Sequence, residues 1–453
     1  MKLIIWGIGR IFNKYKRFLN IKDIVVFVDN CEELWGKSID GIKVISPSKI
    51  NKYTFDYIVV MTKSYNEIRK QIKELGIDTN KIVDEKHLLG LKDEPAKIRY
   101  DAKRPNLDGK RIIIFSHSLD RTGAPLVLYN MAKILVEDKY DVEVYSLLDD
   151  QLLNDYRSIG IPVTLFSHFE MSENVFKRLV DDFDLIIVNT LVLYKIVDKL
   201  KDKTIIWWLH EEDDIFNRMM KNGMQITSRE NLYIYGVSNR TISSMKKFFP
   251  YVNINKLQYG IFEYKKFLND NVEKKQKIIY AIIGTVSLRK GHDILLNVIN
   301  INKKKWKDKA EFWVIGENTL ENIFLENCSE LIKIWGEMSH DKLIELYSDI
   351  DVILCPSRND PLPVVMAEGM QYKKVCIASD MTGTAEIIKP YENGLVCKSG
   401  DEKSLQECIQ WTLNNRAKFS EIGEKAYMTY KEQFSLETFK NNIREIISKT
   451  VGN

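Results

Sequence analysis

The stretch Asp360-Pro-Leu-Pro-Val-Val-Met-Ala-Glu368 carries the most information in this chain. It places two carboxylates eight positions apart, across a turn that opens an apolar helix. Pro363 is expected in the first helical turn, where its missing N–H costs nothing. The N–H groups of Leu362, Val364 and Val365 then lack intrahelical acceptors and, with the positive end of the helix dipole, predict an anion site. A phosphate flanked by two hydroxyl-bearing rings, as in a nucleotide-sugar, satisfies that layout.

The composition is that of an ordinary globular enzyme. The 453-residue chain has 45% hydrophobic and 29% charged residues, and 67 basic against 63 acidic side chains give a net charge of +4. This length suits two or three domains, and the weak positive charge argues against a nucleic-acid partner. The six cysteines form no Cys-x-x-Cys pair, so neither a disulfide framework nor a zinc site is predicted. We expect a cytoplasmic protein, with peripheral contact to the inner face of the membrane as the minority alternative.

Strand and helix patterns alternate along the chain, which predicts an α/β fold with parallel sheets covered by helices. We predict four segments: an accessory Rossmann-like domain at 1–92, a polar linker at 93–109, a second domain at 110–270 and a third at 271–453. Strands are predicted, among others, at Leu3–Trp6, Ile24–Val28, Arg111–Ser116, Leu185–Asn189 and Ile278–Ile283. An amphipathic helix is predicted over about 20 residues at the C-terminus, and it is expected to pack back on the second domain.

Two further motifs carry charge or polarity at strand ends. The segment Ile283-Gly-Thr-Val-Ser-Leu-Arg-Lys290-Gly291 closes the first strand of the third domain. Small residues let the chain turn close to a ligand, and Lys290 offers a compact positive charge where a diphosphate would lie. His210 follows the apolar run Ile205–Leu209. Open α/β sheets bind their ligands at this carboxyl end of the strands.

In this order the motifs resemble the GT4 family of retaining glycosyltransferases, whose GT-B fold has two Rossmann-like domains facing one cleft. The resemblance covers about residues 110–453. Asp360 stands where the family usually has Glu, and Lys290-Gly291 matches the family's Lys-Gly pair. The resemblance implies that the third domain binds the nucleotide-sugar donor and the second binds the acceptor. It also implies front-face substitution with retained anomeric configuration, without a metal ion or other cofactor.

The same resemblance assigns the site residues. His210, Lys290 and Asp360 are the expected catalytic residues, with the His210 imidazole hydrogen-bonded to the donor sugar and Lys290 facing the leaving diphosphate. Thr285 occupies a position where the family often has Arg, and Arg289 is the candidate for the second positive charge. The expected donor-binding residues are Gly123, Thr285, Arg289, Lys290, Gly316, Glu317, Trp335, Asp360, Leu362, Val364 and Glu368.

Three assignments within this set keep a structural alternative. Gly123 either opens a predicted helix near the donor phosphate or is needed only for the backbone geometry of a turn. Trp335 packs the nucleotide base, or it belongs to the core. In the segment Ser379–Glu386, the residues Gly383 and Thr384 are expected near the phosphates. Glu386 is expected to order the start of its own helix, as an acid in the first turn.

The first 92 residues carry Gly7-Ile-Gly9 after a strand and Asp29 about twenty residues later, the layout of a dinucleotide-binding fingerprint. The bulky Phe12 replaces the third glycine of that fingerprint. The segment Asp40–Pro47 resembles small Rossmann-like domains attached to sugar-modifying enzymes. We therefore expect residues 1–92 to serve in docking to a protein partner or to the acceptor assembly, with nucleotide binding as the alternative.

The resemblance thus implies a hexosyltransferase that moves a sugar from a UDP- or GDP-linked donor to a glycan, a lipid-linked acceptor or a cell-surface polymer. Two alternatives stay open. One is a nicotinamide-dependent oxidoreductase that uses Gly7-Ile-Gly9 and Asp29. The other is a non-catalytic partner subunit that binds nucleotide-sugars, an interpretation that Asp360 and Thr285 keep open.

Overall fold

The computed structural model describes residues 1–62, 64–85, 88, 95–103, 109–169, 171–263, 276–318 and 329–451. Residue contacts divide the chain into two compact units, Met1–Asp120 with Asp141–Phe183 and Arg121–Tyr140 with Asp184–Asn453. Both units alternate strands and helices, as the sequence predicted. The domain boundaries at 92, 110 and 270 stay a prediction.

The strands and helices follow one another along the whole described chain. The strands are β1 (Leu3–Trp6), β2 (Ile24–Val28), β3 (Ser38–Ile39), β4 (Ile42–Ile45), β5 (Tyr57–Val60), β6 (Ile82–Asp84), β7 (Lys97–Tyr100), β8 (Arg111–Ser116), β9 (Asp141–Ser146), β10 (Val163–Phe166), β11 (Leu185–Asn189), β12 (Ile205–Leu209), β13 (Leu232–Gly236), β14 (Ile254–Lys256), β15 (Ile278–Ile283), β16 (Ala310–Ile315), β17 (Ile332–Gly336), β18 (Val352–Cys355), β19 (Val375–Ser379) and β20 (Leu395–Cys397). The helices are α1 (Arg10–Tyr15), α2 (Tyr65–Glu74), α3 (Gly123–Glu137), α4 (Leu152–Ser158), α5 (Glu173–Val180), α6 (Tyr194–Lys199), α7 (Asp213–Lys221), α8 (Asn239–Phe248), α9 (His292–Trp306), α10 (His340–Tyr347), α11 (Val364–Gln371), α12 (Glu402–Asn414), α13 (Phe419–Gln433) and α14 (Leu436–Val451).

The first compact unit begins with a six-stranded sheet in the order β3-β4-β2-β1-β5-β6. Its neighbours run parallel except for the short pair β3 and β4. Strand β1 is central and buried throughout. Its alternate residues face two different cores, Leu3 and Ile5 one and Ile4 and Trp6 the other. A strand covered on both faces has a continuous apolar sequence, which is why this one could be predicted.

Strand β7 lies inside the stretch that the sequence analysis assigned to a linker. It pairs antiparallel with β10, and β8, β9 and β10 follow it as parallel neighbours in the order β8-β9-β10-β7. Arg99 in β7 donates to both carboxylate oxygens of Glu143 in β9, at 2.8 and 3.3 Å. A short edge strand with charged residues has the composition of a linker, so its sequence does not show the pairing.

The second compact unit contains the parallel neighbours β14-β13-β12-β11 and a six-stranded parallel sheet in the order β17-β16-β15-β18-β19-β20. The strand order of this second sheet reverses between β15 and β18. Open α/β sheets bind ligands in the crevice beyond the carboxyl ends of the strands at such a reversal. The loops that leave β15 and β18 contain Lys290 and Asp360.

The C-terminal helix α14 packs against β12 and the end of α3. The ring of Phe439 stacks on Trp208 with centroids 5.7 Å apart. Arg444 donates to both carboxylate oxygens of Asp138, at 2.9 and 2.6 Å. The apolar stripe and the charged flank of this helix therefore have separate partners. Among the described helices, none is long and apolar enough to cross a membrane.

Candidate functional site

Three loops meet beyond the carboxyl ends of β15, β16 and β17. The N–H of Gly284 donates to Ile315 O at 2.8 Å, and that of Gly316 donates to Gly336 O at 2.9 Å. A Cβ atom on Gly316, whose φ is +144°, would lie 2.2 Å from Gly284 O. Only glycine fits such a close approach of two backbones. The predicted residues Gly316, Glu317 and Thr285 therefore share one edge of the sheet, and the side chains of Glu317 and Thr285 are exposed there.

The structure brings Lys290 and Asp360 together at the strand-order reversal. The Lys290 Nζ atom lies 2.5 Å from Oδ2 of Asp360, and the two side chains are 18% and 9% exposed. The Arg289 guanidinium is 3.6 Å from the same carboxylate and donates to Asn359 O at 2.8 Å. Two cations predicted to face a diphosphate thus flank the first acid of the motif. The partly enclosed charge of Lys290 is screened less than it would be in water, whereas the Arg289 side chain is 54% exposed.

The loop that carries Lys290 is fixed against the loop that follows β18. Gly291 has a φ of +77°, and a Cβ atom there would lie 2.2 Å from Pro356 O. The Arg358 N–H donates to Arg289 O at 2.8 Å, and the Arg358 guanidinium donates to both oxygens of Asp293, at 2.7 and 2.6 Å. These contacts hold the Lys290 backbone next to Asp360.

Helix α11 begins one residue later than the sequence predicted. Pro363 is its N-cap, with φ −67° and ψ 122°, rather than a first-turn residue. The Met366 N–H donates to Pro363 O at 3.1 Å, so the proline carbonyl closes the first turn. A Cβ atom on Gly123 would lie 3.9 Å from Val364, so the start of α3 lies next to the start of α11. The carbonyl oxygen of Leu362 accepts from the buried Tyr259 hydroxyl at 3.2 Å.

Glu368, the second acid of the motif, is buried and has two side-chain donors that the sequence analysis did not identify. His340 Nε2 lies 2.8 Å from its Oε1 atom, and the Tyr347 hydroxyl donates to its Oε2 atom at 2.8 Å. Both donors belong to α10. Burial lowers the pKa of His340 and the bond to Glu368 raises it, and the net shift is upward. The predicted ribose role of Glu368 stays a prediction.

His210 lies at the carboxyl end of β12, as the sequence predicted. Its Nε2 atom is 2.8 Å from Asn189 Oδ1, at the end of β11, and its ring lies 4.6 Å from that of Trp208. Asn189 in turn donates to Ala124 O at 3.2 Å, in the first turn of α3. The imidazole is thus held by an amide whose orientation is itself fixed.

Glu212 connects the end of β12 to the surroundings of Asp360. Its carboxylate accepts from Arg240 Nε and Nη2 at 2.8 and 2.9 Å. Burial raises the pKa of Glu212, Arg240 lowers it, and the charge of Asp360 raises it further. The net shift of this pKa is upward, because burial is the largest of these effects and the charge of Asp360 adds to it.

The assignment of Glu386 to its own helix start was wrong. Gly383–Glu386 is a short 3-10 turn, and the Glu386 carboxylate accepts from the N–H groups of Asn239 and Arg240 at 3.3 and 3.1 Å. It therefore caps α8. The two partners are 147 and 146 residues away in sequence, so no local pattern could indicate the contact. Gly383 packs on the Pro361 backbone, since a Cβ atom there would meet Pro361 O.

Trp335 is half-buried near the end of edge strand β17. Its ring meets Trp313 edge to face with centroids 5.0 Å apart, and Lys333 Nζ lies 3.8 Å from the Trp335 centroid. The indole is therefore held between a second indole and a cation. The expectation that it packs against the base stays a prediction.

The acid of the N-terminal fingerprint has partners within its own loops. Asp29 Oδ2 accepts from the Ile8 N–H at 3.0 Å, and Oδ1 accepts from the Cys31 N–H at 2.9 Å. Phe12 is buried against Phe27, with ring centroids 5.1 Å apart. Asp29 thus stabilises the Gly7-Ile8-Gly9 turn instead of presenting an open ribose acceptor. The oxidoreductase alternative is not favoured.

Within the described ranges, no group of three or more His, Cys, Asp or Glu side chains could hold a metal ion. The expectation that the reaction requires no metal stays a prediction.

Three family profiles match successive parts of the chain. Residues 263–429 match the family described as Glycosyl transferases group 1, residues 108–232 match Glycosyl-transferase family 4, and residues 1–83 match C2185-like, N-terminal. The first two matches cover the segments that contain His210, Lys290, Asp360 and Glu368.

Curated proteins share part of this sequence. An uncharacterized glycosyltransferase of Methanocaldococcus jannaschii, MJ1178, is 26% identical over 204 residues, which are 40% of this chain and 56% of that protein. The N,N'-diacetylbacillosaminyl-diphospho-undecaprenol alpha-1,3-N-acetylgalactosaminyltransferase of Campylobacter jejuni is 28% identical over 177 residues, which are 38% of this chain and 43% of that protein. The chain thus spans about half the length of these relatives.

Solved structures resemble a larger share of the chain. Anabaena HepE in complex with UDP-glucose aligns with a TM-score of 0.61 and 16% sequence identity, over 75% of this chain and 100% of that one. At this identity the likeness concerns the fold. It confirms the α/β GT-B architecture predicted from the sequence.

Proposed function

This chain belongs to the GT4 family of glycosyltransferases with the GT-B fold, and from that premise we propose that it transfers sugars with retention of anomeric configuration. The donor is a nucleotide-sugar, and the acceptor is a glycan, a lipid-linked precursor or a cell-surface polymer. The UDP-glucose bound by HepE and the diphospho-undecaprenol in the name of the Campylobacter relative support these two substrate classes.

One observation carries the proposal: the Lys290 ammonium lies 2.5 Å from Asp360, beside the glycine turn at Gly284. A Cβ atom on Gly284 would be 4.0 Å from Lys290 Nζ, so the ammonium is close to a backbone that lacks a side chain. A diphosphate can approach such a place closely and meet positive charge there. Arg289, at 3.6 Å from Asp360, adds a second cation.

In the proposed reaction, the bond between the anomeric carbon and the diphosphate oxygen breaks. The acceptor oxygen bonds to that carbon on the same face, and the acceptor proton passes to the departing diphosphate. Lys290, Arg289 and the start of α11 stabilise the negative charge that develops on the leaving group. His210 hydrogen-bonds the donor sugar, Asp360 accepts from a sugar hydroxyl, and Glu368 accepts from the ribose.

In this reaction, side chains and backbone N–H groups neutralise the charge of the leaving diphosphate. We therefore propose that no metal takes part. Turnover should then be the same in EDTA as in magnesium. We further propose a cytoplasmic location, with peripheral membrane contact as the alternative for a lipid-linked acceptor. Residues 1–92 would dock a protein partner or the acceptor assembly.

The test begins with a thermal-shift screen of the full chain against UDP, GDP and their sugar conjugates. A ligand at 100 times its dissociation constant should stabilise the protein by about 2.7 kcal/mol. The stabilising donor is then incubated with lipid-linked and glycan acceptors, and the anomeric configuration of the product is read by NMR. Asp360→Asn should lose turnover, and Lys303→Ala, on the exposed face of α9, should keep it. An inverted product would refute retention, and no stabilisation by any nucleotide would refute the donor site.

A further inference from the structure

Helix α10 presents two hydrogen-bond donors to one carboxylate of α11. His340 Nε2 lies 2.8 Å from Glu368 Oε1, and the Tyr347 hydroxyl donates to Oε2 at 2.8 Å. An ionised carboxylate only accepts, so His340 Nε2 must carry a proton. The two donors are seven positions apart, about two helical turns, and therefore lie on the same face of α10. Each carboxylate oxygen has its own donor, which fixes the plane of the carboxylate.

The cluster of Glu368, His340 and Tyr347 is enclosed. The side chain of Glu368 is 4% exposed and that of His340 is 17% exposed. Tyr347 is buried, and its ring stacks on Tyr372 with centroids 4.7 Å apart. A buried carboxylate has room for about four hydrogen bonds, and the two donors of α10 use one position on each oxygen. One acceptor position on each oxygen is thus left unused by these two donors.

We propose that His340 and Tyr347 are positioning residues that orient Glu368 to accept from both vicinal hydroxyls of a nucleotide ribose. The inference rests on the proposed function, because it concerns how the donor nucleotide is recognised. Two acceptor atoms held in one plane match two neighbouring hydroxyls. A ligand that lacks one hydroxyl leaves one buried carboxylate oxygen without its hydrogen bond. The resulting loss of affinity discriminates strongly between ligands that are otherwise equal.

A purely structural role makes a different prediction. If His340 and Tyr347 only tie α10 to α11, their removal changes stability and affects every nucleotide alike. The ratio of ribonucleotide to 2′-deoxynucleotide affinity separates the two roles, because only an orienting role changes that ratio.

The experiment uses calorimetric titration of the full chain with UDP and with GDP. Whichever binds is compared with its 2′-deoxy form. We expect the wild type to prefer the ribonucleotide by about tenfold or more, which corresponds to a lost charge-assisted hydrogen bond. Tyr347→Phe should weaken ribonucleotide binding by about tenfold and leave 2′-deoxynucleotide binding nearly unchanged. His340→Ala should have the same effect, and His340→Gln, which retains an N–H donor, should restore part of the preference.

Tyr372→Phe is the matched control. Its hydroxyl is buried without a hydrogen-bond partner among the described residues, so its removal should leave the ratio unchanged. Equal affinity of the wild type for both forms would overturn the inference without any variant. A wild-type ratio in folded Tyr347→Phe and His340→Ala proteins would also overturn it. If the wild type binds neither UDP nor GDP, the proposed function fails as well, so the two failures are distinguishable.

Discussion

Lys290 and Asp360 form a partly buried ion pair, with the ammonium 2.5 Å from the carboxylate. The two residues are seventy positions apart and come from loops that follow two neighbouring strands, β15 and β18. The cation proposed to stabilise the leaving diphosphate is therefore also the partner of the first acid of the motif. We therefore expect a change at either residue to affect folding as well as turnover.

We predict that Lys290→Ala lowers turnover by about 100-fold, because a preorganised charge at the leaving group is lost. It should also lower the free energy of unfolding by about 2 kcal/mol, because Asp360 is left buried with only the more distant Arg289. Lys290→Met combined with Asp360→Asn should recover stability but not turnover. Urea unfolding and initial rates measure the two effects, with exposed Lys303→Ala as the control. If the double variant is as unstable as Lys290→Ala, the pair is not what stabilises this loop.

Gly291→Ala should destabilise the protein more than Gly223→Ala. The two glycines have nearly equal φ angles, +77° and +81°, so the strain on the backbone is matched. A Cβ atom on Gly291 would lie 2.2 Å from Pro356 O, whereas one on Gly223 meets nothing within 4 Å. We expect about 1 kcal/mol of destabilisation at Gly223 and clearly more at Gly291. Equal unfolding midpoints in urea would show that the two loops can move apart.

Glu386→Ala should lower the free energy of unfolding by about 1 kcal/mol, because α8 loses the carboxylate that caps its first N–H groups. Lys256, which lies 3.6 Å from Glu386, loses its partner as well. Glu432→Ala, an exposed position on α13, provides the matched control for loss of one carboxylate. Urea unfolding measures both variants. The capping interpretation fails if the two variants are equally stable.

Asp29→Asn should destabilise the N-terminal sheet without changing the affinity of the protein for the nucleotide. An amide group replaces one of two oxygens that accept backbone N–H groups, so one of the bonds to Ile8 and Cys31 is lost. We expect a cost of about 1 kcal/mol in thermal or urea unfolding. UDP or GDP affinity should stay within about twofold of the wild type, less than the loss of one hydrogen bond. A larger loss of affinity would indicate that residues 1–92 contribute to nucleotide binding.

The His340 pair predicts how stability depends on pH. Burial lowers the folded-state pKa of His340, but the hydrogen bond to Glu368 and the negative charge of that carboxylate together raise this pKa above its ordinary value. Arg121 and Asp341 act as weaker opposing charges. Its contribution to stability is therefore full below about pH 6.5 and is lost as pH rises through the folded pKa. The advantage of the wild type over His340→Gln in thermal midpoint should shrink as pH rises above about 6.5.

His117 provides a control, because its pKa is shifted in the opposite direction to that of His340. Burial lowers its pKa, so its contribution is present at higher pH and is lost as pH falls. The difference between the wild type and His117→Gln should therefore grow toward alkaline pH. Parallel pH profiles for the two variants would contradict the assignment of the His340 shift to Glu368.

Continuous apolar runs made the central strands predictable. Leu3–Trp6, Arg111–Ser116 and Ile278–Ile283 have the predicted bounds, because a parallel strand covered on both faces needs a run of apolar residues through its centre. Edge strands such as β7 and β14 escaped prediction, since a strand with one open side can carry Lys, Arg and Asn.

The amino-acid sequence by itself determined the α/β fold and the local motifs: the glycine turns, Lys290-Gly291 and the spacing from Asp360 to Glu368. These depend on residues close together in the chain, where backbone geometry links sequence to shape. Only the tertiary structure decided the partners of those motifs. Lys290 pairs with Asp360, Glu386 caps α8, and His340 and Tyr347 hold Glu368. Such contacts join distant segments whose side chains meet only after the sheets have formed, so no local pattern could specify them.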